Sequence, residues 1–236
     1  MKKILLLVVI ICISIGLTSC YLSKDNEVTN DISTSTMNVN QSNSSIEGDN
    51  NKIHIKSNSM TLSDNTYKDR VIRLKLVEGD YYEDWNPSPI MGTIWEGLFS
   101  IDVLDKSGNL MSTTKLESIH PNENLTFTAP FQIQFNDYNN DGDVDFTLGQ
   151  YSSSNGYDYK LYTIRKDNSV QELVIKDNAY IFISNRTGQY STMLNKVDNT
   201  TFTIEYYDNS KGTFEDCFKW DGASFIKIST KEIKKN

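Results

Sequence analysis

The chain has 236 residues and a formal net charge of −8, so it is long enough for one domain with its own core and lacks the basic character of a nucleic-acid-binding protein. Alanine occurs only three times, at Ala129, Ala179 and Ala223, whereas there are 13 tyrosines and 10 phenylalanines. This composition disfavours a mostly helical domain and favours strands.

The first residues have the pattern of a secretion signal. Met1–Lys3 is basic, and Ile4–Gly16 is apolar, uncharged and too short to span a bilayer, which needs about 20 residues. Leu17–Cys20 then resembles the lipobox of bacterial lipoproteins. The resemblance implies a signal peptide over residues 1–19, cleavage before Cys20 and a diacylglyceryl group, with acyl chains such as palmitate, on the cysteine sulfur. The alternative is an ordinary secretion signal with a chance cysteine.

Lipidation would place the protein on the extracytoplasmic face of the cell membrane. Two acyl chains hold a protein stably at a bilayer, whereas one does not. Cleavage removes Lys2 and Lys3 and no acidic residue, which takes the net charge from −8 to −10. Such an acidic chain would be repelled by anionic lipid without a covalent anchor.

Residues 20–63 are predicted to form a flexible tether. The segment is rich in serine, threonine, asparagine and aspartate and has few large apolar residues to offset the entropy lost on ordering. Within it, Lys52–Lys56 alternates polar and apolar residues. The alternative for that stretch is a short strand that docks on the domain.

Residues 64–230 are predicted to form an all-β domain of about a dozen short antiparallel strands without a convincing helix. The strand over 67–77 has an apolar face made of Ile72, Leu74 and Leu76. The further predicted strands are 91–104 with a break near Gly97, 110–116, 125–127, 131–135, 146–151, 159–165, 170–175, 180–184, 201–207, 213–220 and 224–229. Residues 231–236 are predicted to be a frayed tail.

Three aromatic residues crowd a predicted loop at 79–89. Tyr81, Tyr82 and Trp85 lie here, next to Asn86–Pro89, which marks a turn. We expect these side chains to fold back over an edge of the core. Exposed at the surface, they would instead form a binding platform.

An acidic run between two predicted strands has the spacing of a calcium loop. Asp137, Asn139, Asp141 and Asp145 occupy loop positions one, three, five and nine, and Gly142 permits a tight turn at position six. The backbone carbonyl of Asp143 would supply the ligand at position seven. Mutually repelling carboxylates favour a divalent cation at this loop. The alternative is an acidic, solvated loop without metal.

The loop is not an EF-hand, because position twelve is Leu148 where an EF-hand needs a bidentate glutamate. The run Asp137–Phe146 instead resembles the calcium loop of FG-GAP and VCBS-type repeats, which connects two antiparallel strands of a β-propeller blade or related β module. The resemblance implies a structural Ca²⁺ and an antiparallel sandwich or partial propeller-like module. This chain has one copy of the loop.

Catalytic motifs are weak in this sequence. His54 lies in or beside the tether, and His120, before Pro121, is expected to be a surface histidine. Cys217 has acidic neighbours that raise a thiol pKa, so a structural role is expected. The sequence favours a non-catalytic, calcium-stabilised binding or scaffold module at the cell surface, with an envelope protein or a glycan as partner. The alternative is a surface hydrolase of glycans that uses paired carboxylates such as Glu96 and Asp102.

Overall fold

A computed structural model of the chain describes residues 46–49, 52–57, 67–184 and 190–234. The predicted signal peptide, Cys20, most of the predicted tether and the last two residues lie outside these ranges. The described residues form 15 strands in antiparallel sheets and no helix, which confirms the predicted all-β class. They accordingly contain no helix of the length and apolarity needed to cross a membrane.

The first sheet contains six strands. Its path is β1-β2-β3-β4-β5, and β6 pairs with β4. The strands are β1 (Ile46–Asp49), β2 (Lys52–Ser57), β3 (Val71–Asp84), β4 (Gly92–Leu104), β5 (Leu110–Lys115) and β6 (Leu125–Phe127).

The strands β1 and β2 lie within the range for which a tether is predicted. The backbone of β2 pairs with that of β3, with His54 opposite Lys75 and Ser57 opposite Ile72. The alternative interpretation of Lys52–Lys56 as a docking strand agrees with this pairing.

The loop predicted at 79–89 is wrong for residues 79–84, because β3 continues to Asp84 and pairs with β4 along its whole length, whereas residues 85–89 lie outside any strand as predicted. Gly79 lies opposite Gly97, and both have positive φ angles. A Cβ on Gly79 would collide with the carbonyl oxygen of Glu96, and a Cβ on Gly97 would collide with that of Glu78. The two glycines therefore let the strands approach closely and continue as a ribbon rather than end.

The central strand of the second sheet, β9, is fully buried. It has the order β10-β9-β8-β7, and β11 also pairs with β9. The strands are β7 (Phe135–Asn136), β8 (Val144–Ser153), β9 (Gly156–Ile164), β10 (Val170–Leu173) and β11 (Ile181–Ile183). Of the strand predicted at 131–135, only Phe135 is in β7. Just upstream, the Gln134 amide donates to the Ser191 hydroxyl rather than to a neighbouring strand.

The third sheet is an antiparallel meander of four consecutive strands. They are β12 (Asn195–Asp198), β13 (Thr201–Asp208), β14 (Gly212–Trp220) and β15 (Phe225–Ile233). The polar β12 was not predicted. Residues 231–233, predicted to be part of a frayed tail, pair with β14, where Glu215 lies opposite Lys231.

Side chains from all three sheets share one hydrophobic core. The predicted apolar face of β3 is confirmed, since Ile72, Leu74 and Leu76 are all buried. Phe146 of β8 and Phe202 of β13 are fully buried in the same core. Burial of each such side chain stabilises the fold by about 1.5–3 kcal/mol.

Candidate functional site

The acidic loop joins β7 to β8, as its strand-like flanks predict. Asn136 of β7 lies opposite Asp145 of β8. Asn140 and Gly142 both have positive φ angles, 60° and 80°, and these two residues reverse the chain direction. The antiparallel pair of strands fixes both ends of the loop.

A tyrosine anchors the loop to the core. Tyr138 is 1% exposed, and its ring lies 5.9 Å from that of Phe202 in the third sheet. Its hydroxyl accepts a 3.0 Å hydrogen bond from the amide of Leu194. Burial, aided by the charge of Asp145, raises the pKa of Tyr138 to about 12. The loop conformation is therefore coupled to packing between the second and third sheets.

The side chains of the first three predicted ligands accept hydrogen bonds from loop amides. The two oxygens of Asp137 accept from the amides of Asn140 and Gly142, at 2.6 and 3.1 Å. Asn139 Oδ1 accepts from the amide of Asp141, and Asp141 Oδ1 accepts from that of Asp143. A carboxylate or amide oxygen has two lone pairs, so each of these oxygens retains capacity for a cation.

The structure also brings a cation to the loop that the sequence analysis missed. Arg165, just after β9, places Nη1 2.7 Å from Asp141 Oδ2 and 3.1 Å from Asp143 Oδ2. The other oxygen of Asp143 accepts a 2.7 Å hydrogen bond from the Tyr67 hydroxyl. Both oxygens of the Asp143 side chain therefore already have a protein partner, Tyr67 for one and Arg165 for the other.

Asp145 is the most unusual member of the loop, because it is completely buried. Its Oδ2 accepts a 2.7 Å hydrogen bond from the Tyr138 amide. Its Oδ1 is buried without a well-formed hydrogen bond, and the hydroxyl of Thr163, the residue opposite Asp145 on β9, is the other polar group that acts on the carboxylate. Burial raises the pKa of Asp145 to about 7; hydrogen bonding by Tyr138 and Thr163 opposes the rise, and the charges of Asp141 and Asp137 add to it. A completely buried carboxylate with so few donors is unfavourable unless it binds a proton or a cation.

The predicted ligands therefore share one loop, and their chemistry fits a hard cation at Asp145. They do not form a finished metal cage: the described residues contain no group of three or more histidine, cysteine, aspartate or glutamate side chains placed to hold a metal ion. Loop amides, Arg165 and Tyr67 instead contact the carboxylates of Asp137, Asp141 and Asp143. Calcium at this loop stays a prediction.

A cleft of about 370 Å³ opens where β6 of the first sheet meets β8 of the second. Its lining consists of uncharged polar residues, histidine, glutamate, tyrosines and a few aliphatic residues, namely Ser88, Ser118, Asn124, Thr126, Thr128, Gln150, His120, Glu123, Tyr151, Tyr157, Tyr190, Pro89, Ile90 and Met91. The volume falls in the range of about 300–1,000 Å³ that is usual for small-molecule sites.

His120 was expected to be a surface histidine, but it lies in the wall of this cleft with its side chain 23% exposed. Its Nε2 lies 3.3 Å from Oδ2 of the buried Asp158 in β9. The ring also makes an edge-on contact with Tyr180, at 5.3 Å. Burial raises the pKa of Asp158, while a hydrogen bond from Ser152 and the charge of His120 lower it. The two residues are distant in sequence, so no local motif predicts this pair.

The carboxylates named for a glycan hydrolase are not brought together. Glu96 and Asp102 lie six residues apart on the continuous strand β4, a separation of about 20 Å. Asp102 is buried and binds Arg73 and Thr113. Glu96 accepts hydrogen bonds from Tyr82 and Asn124 instead. Paired carboxylates act within about 10 Å of each other, so these two cannot act on one bond.

The aromatic residues expected to fold over the core are exposed, and that expectation is wrong. Tyr81, Tyr82 and Trp85 are 48%, 41% and 69% exposed. The cause is the continuation of the β3–β4 ribbon, which carries the three residues beyond the core. Tyr81 retains one core contact, since its ring lies 5.4 Å from the buried Trp95.

Of the remaining candidates, Cys217 and His54, only Cys217 has a described side chain. Cys217 of β14 is free and partly buried, and burial followed by the charges of Glu215 and Asp198 raises its pKa. A raised pKa disfavours the reactive thiolate, in line with the structural role expected from sequence. His54 lies in β2, of which only the backbone is described.

In comparisons with known proteins, no family model, curated protein or solved structure matches this chain.

Proposed function

We propose that this chain is a membrane-anchored lipoprotein of the extracytoplasmic face whose β domain is a non-catalytic binding module stabilised by calcium. The single observation that carries the calcium part is the complete burial of the Asp145 carboxylate, which accepts one close hydrogen bond, from the Tyr138 amide, in a loop with calcium-ligand spacing. A divalent ion bound there would neutralise a carboxylate that burial otherwise disfavours. Asp137, Asn139, Asp141, Asp145 and the Asp143 carbonyl would hold the ion.

A structural role for calcium follows from the position of the loop. It connects two paired strands, and Tyr138 ties it to the core of the third sheet. An ion that occupied five protein oxygens would leave little open coordination for activating water. Binding of the ion would therefore stabilise the fold by mass action rather than supply chemistry.

The arrangement of strands supports the propeller-like alternative over a sandwich. The strands β12–β15 pair in consecutive order as a four-stranded meander, which is the arrangement of a propeller blade. We therefore propose a partial propeller-like module.

A calcium titration followed by thermal melting tests the calcium part. We expect about 5 mM calcium, roughly tenfold above the affinity of weak extracellular sites, to raise the melting temperature of the full chain. Asp141→Ala and Asp145→Asn should each abolish the increase. Asp69→Asn, which removes an exposed carboxylate outside the loop, should keep it. An unchanged melting temperature in the unaltered protein would refute calcium binding.

Radiolabelled palmitate tests the anchor in a bacterial host. We expect the full chain to incorporate label and to fractionate with membranes, and Cys20→Ala to do neither. An unlabelled chain in the soluble fraction would refute lipidation, whatever the calcium result. Cys217→Ala is the matched control, since it removes the free cysteine of the β domain and should leave both readouts unchanged.

A further inference from the structure

We infer that the cleft between β6 and β8 is the ligand site of this module and that it takes a neutral saccharide. The inference rests on the proposed binding function and assigns a place and a ligand class to it. The polar side chains that line the cleft include those of Asn124, Gln150 and His120. Each of these three contacts a partner on a different strand, Gln150 and His120 closely and Asn124 over 3.5 Å.

The amide of Gln150 is fixed from two sides. Its Oε1 accepts a 2.7 Å hydrogen bond from the Thr126 backbone of β6, and its Nε2 donates to the carbonyl of Gly149 at 2.9 Å. A primary amide has two N–H groups and two acceptor lone pairs, so one donor and one lone pair remain. Gln150 therefore presents a fixed, partly used amide to the cleft.

His120 is also positioned by a partner, whereas Asn124 lies at the exposed rim of the cleft. Asn124 donates one N–H to Glu96 on β4 over a long 3.5 Å contact and retains its carbonyl oxygen and second N–H for a ligand. His120 uses Nε2 against Asp158 on β9, which leaves Nδ1 as a second polar atom. Polar groups whose orientation is fixed before binding lose little entropy when a ligand arrives.

The charge and the aromatic residues of the cleft lining favour a neutral ligand over an anionic one. The lining residues within the described part of the chain include no lysine or arginine, and Glu123 adds a negative charge, which disfavours phosphates and other anions. Tyr151 is half-buried, and its ring packs edge-on against Tyr157 at 5.9 Å. An aromatic ring packed in place beside the fixed amide of Gln150 suits the C–H face and the hydroxyl groups of a sugar ring.

Saturation-transfer NMR and calorimetry measure the binding of maltotriose, cellotriose and chitotriose to the full chain. We expect at least one of these neutral trisaccharides to bind, with transfer to its ring protons. Tyr151→Ala and Asn124→Ala should each weaken that binding by about tenfold or more. Tyr151→Phe keeps the ring and should stay within about twofold of the unaltered protein.

Matched controls separate this site from the rest of the surface. Tyr207→Ala removes an exposed tyrosine that lines a different depression, next to Tyr206 and Lys227, and should leave binding unchanged. Trigalacturonic acid tests the charge argument and should bind at least about tenfold more weakly than the neutral sugars.

Three results would overturn the inference: no transfer from any neutral trisaccharide, equal binding by Tyr151→Ala, or preferential binding of trialanine, which would indicate a peptide site. The calcium-induced melting shift and palmitate labelling are recorded for the same protein. Failure of sugar binding with both intact would refute the cleft assignment alone, whereas loss of those two readouts would refute the proposed function.

Discussion

The Nη1 atom of Arg165 lies 2.7 Å from Oδ2 of Asp141, so the turn between β9 and β10 supplies a positive charge to the acidic loop. The same atom lies 3.1 Å from Asp143. A calcium ion that used Asp141 would therefore compete with an arginine already in contact with it. This competition links the stability of the loop to its affinity for metal.

Replacement of Arg165 by glutamine should have opposite effects on stability and calcium affinity. With EDTA present, we expect a loss of about 1 kcal/mol in the free energy of unfolding, a modest value because the Arg165 side chain is one-third exposed. Calcium should bind several-fold more tightly, since a competing charge has been removed. Urea unfolding and calorimetric titration measure the two quantities. Lys166→Gln, at an exposed neighbour, should change neither, and weaker calcium binding by Arg165→Gln would contradict the competition.

The raised pKa of Asp145 predicts that the free energy of unfolding depends on pH when EDTA keeps calcium from the protein. The folded-state pKa of about 7 exceeds the ordinary value of 3.8, so the folded state binds this proton more tightly than the unfolded state. The associated stability is fully present below about pH 4 and is lost as pH rises to about 7. The loss is at most about 1.4 kcal/mol per pH unit.

Urea unfolding in EDTA at pH 5 and pH 8 measures this effect. Asp145→Asn should lose less stability between these two pH values than the unaltered protein. The comparison between the two proteins cancels the contributions of all groups other than residue 145. Added calcium should remove the difference, because a bound cation favours the charged carboxylate. Identical pH profiles for both proteins in EDTA would show that Asp145 is not the group responsible.

Local patterns were enough to predict much of the fold. The alternation of Ile72, Leu74 and Leu76 correctly indicated a buried strand face, because side chains of a strand alternate between two sides. The strand predicted at 110–116 also forms, as β5, after a turn in which the Asp105 carboxylate accepts the amides of Ser107 and Asn109. Both signals depend only on residues close together in sequence.

Features set by long-range contacts were not predictable in this way. Gly79 reads as a turn signal, and only its position opposite Gly97 makes it part of a continuous strand. The polar strand β12 has no apolar alternation and forms because β13 is there to pair with it. Arg165 beside the acidic loop and His120 beside Asp158 are tertiary pairings without a local signature.

Asp102 should contribute to stability rather than to catalysis. Its Oδ2 accepts hydrogen bonds from Nε and Nη2 of Arg73, at 3.0 and 2.5 Å, and its Oδ1 accepts from the Thr113 hydroxyl at 2.7 Å. Asp102→Ala would leave Arg73 without its carboxylate partner, so we expect a loss of about 2–3 kcal/mol, below the full value for a buried pair because Arg73 is partly exposed. Chemical denaturation measures the loss. Asp80→Ala, an exposed carboxylate on the same ribbon, should change stability by less than about 0.5 kcal/mol.

Gly97 should be among the least replaceable residues of the first sheet. It has a φ of 151°, and an added Cβ would collide with the backbone carbonyl of Glu78, a rigid group that cannot move aside as a flexible side chain can. Gly97→Ala must therefore separate β3 from β4 at this point. We expect the free energy of unfolding to fall by about 2 kcal/mol or more, the cost of a strained backbone position plus broken pairing.

Gly108 is the matched control, because its φ of 85° is also positive but a Cβ there would meet nothing within 4 Å. Gly108→Ala should lose only about 1 kcal/mol, from backbone strain alone. Urea unfolding of the two variants measures the difference, and equal losses would mean that conformational strain, not the close approach of the strands, determines the requirement for glycine at position 97.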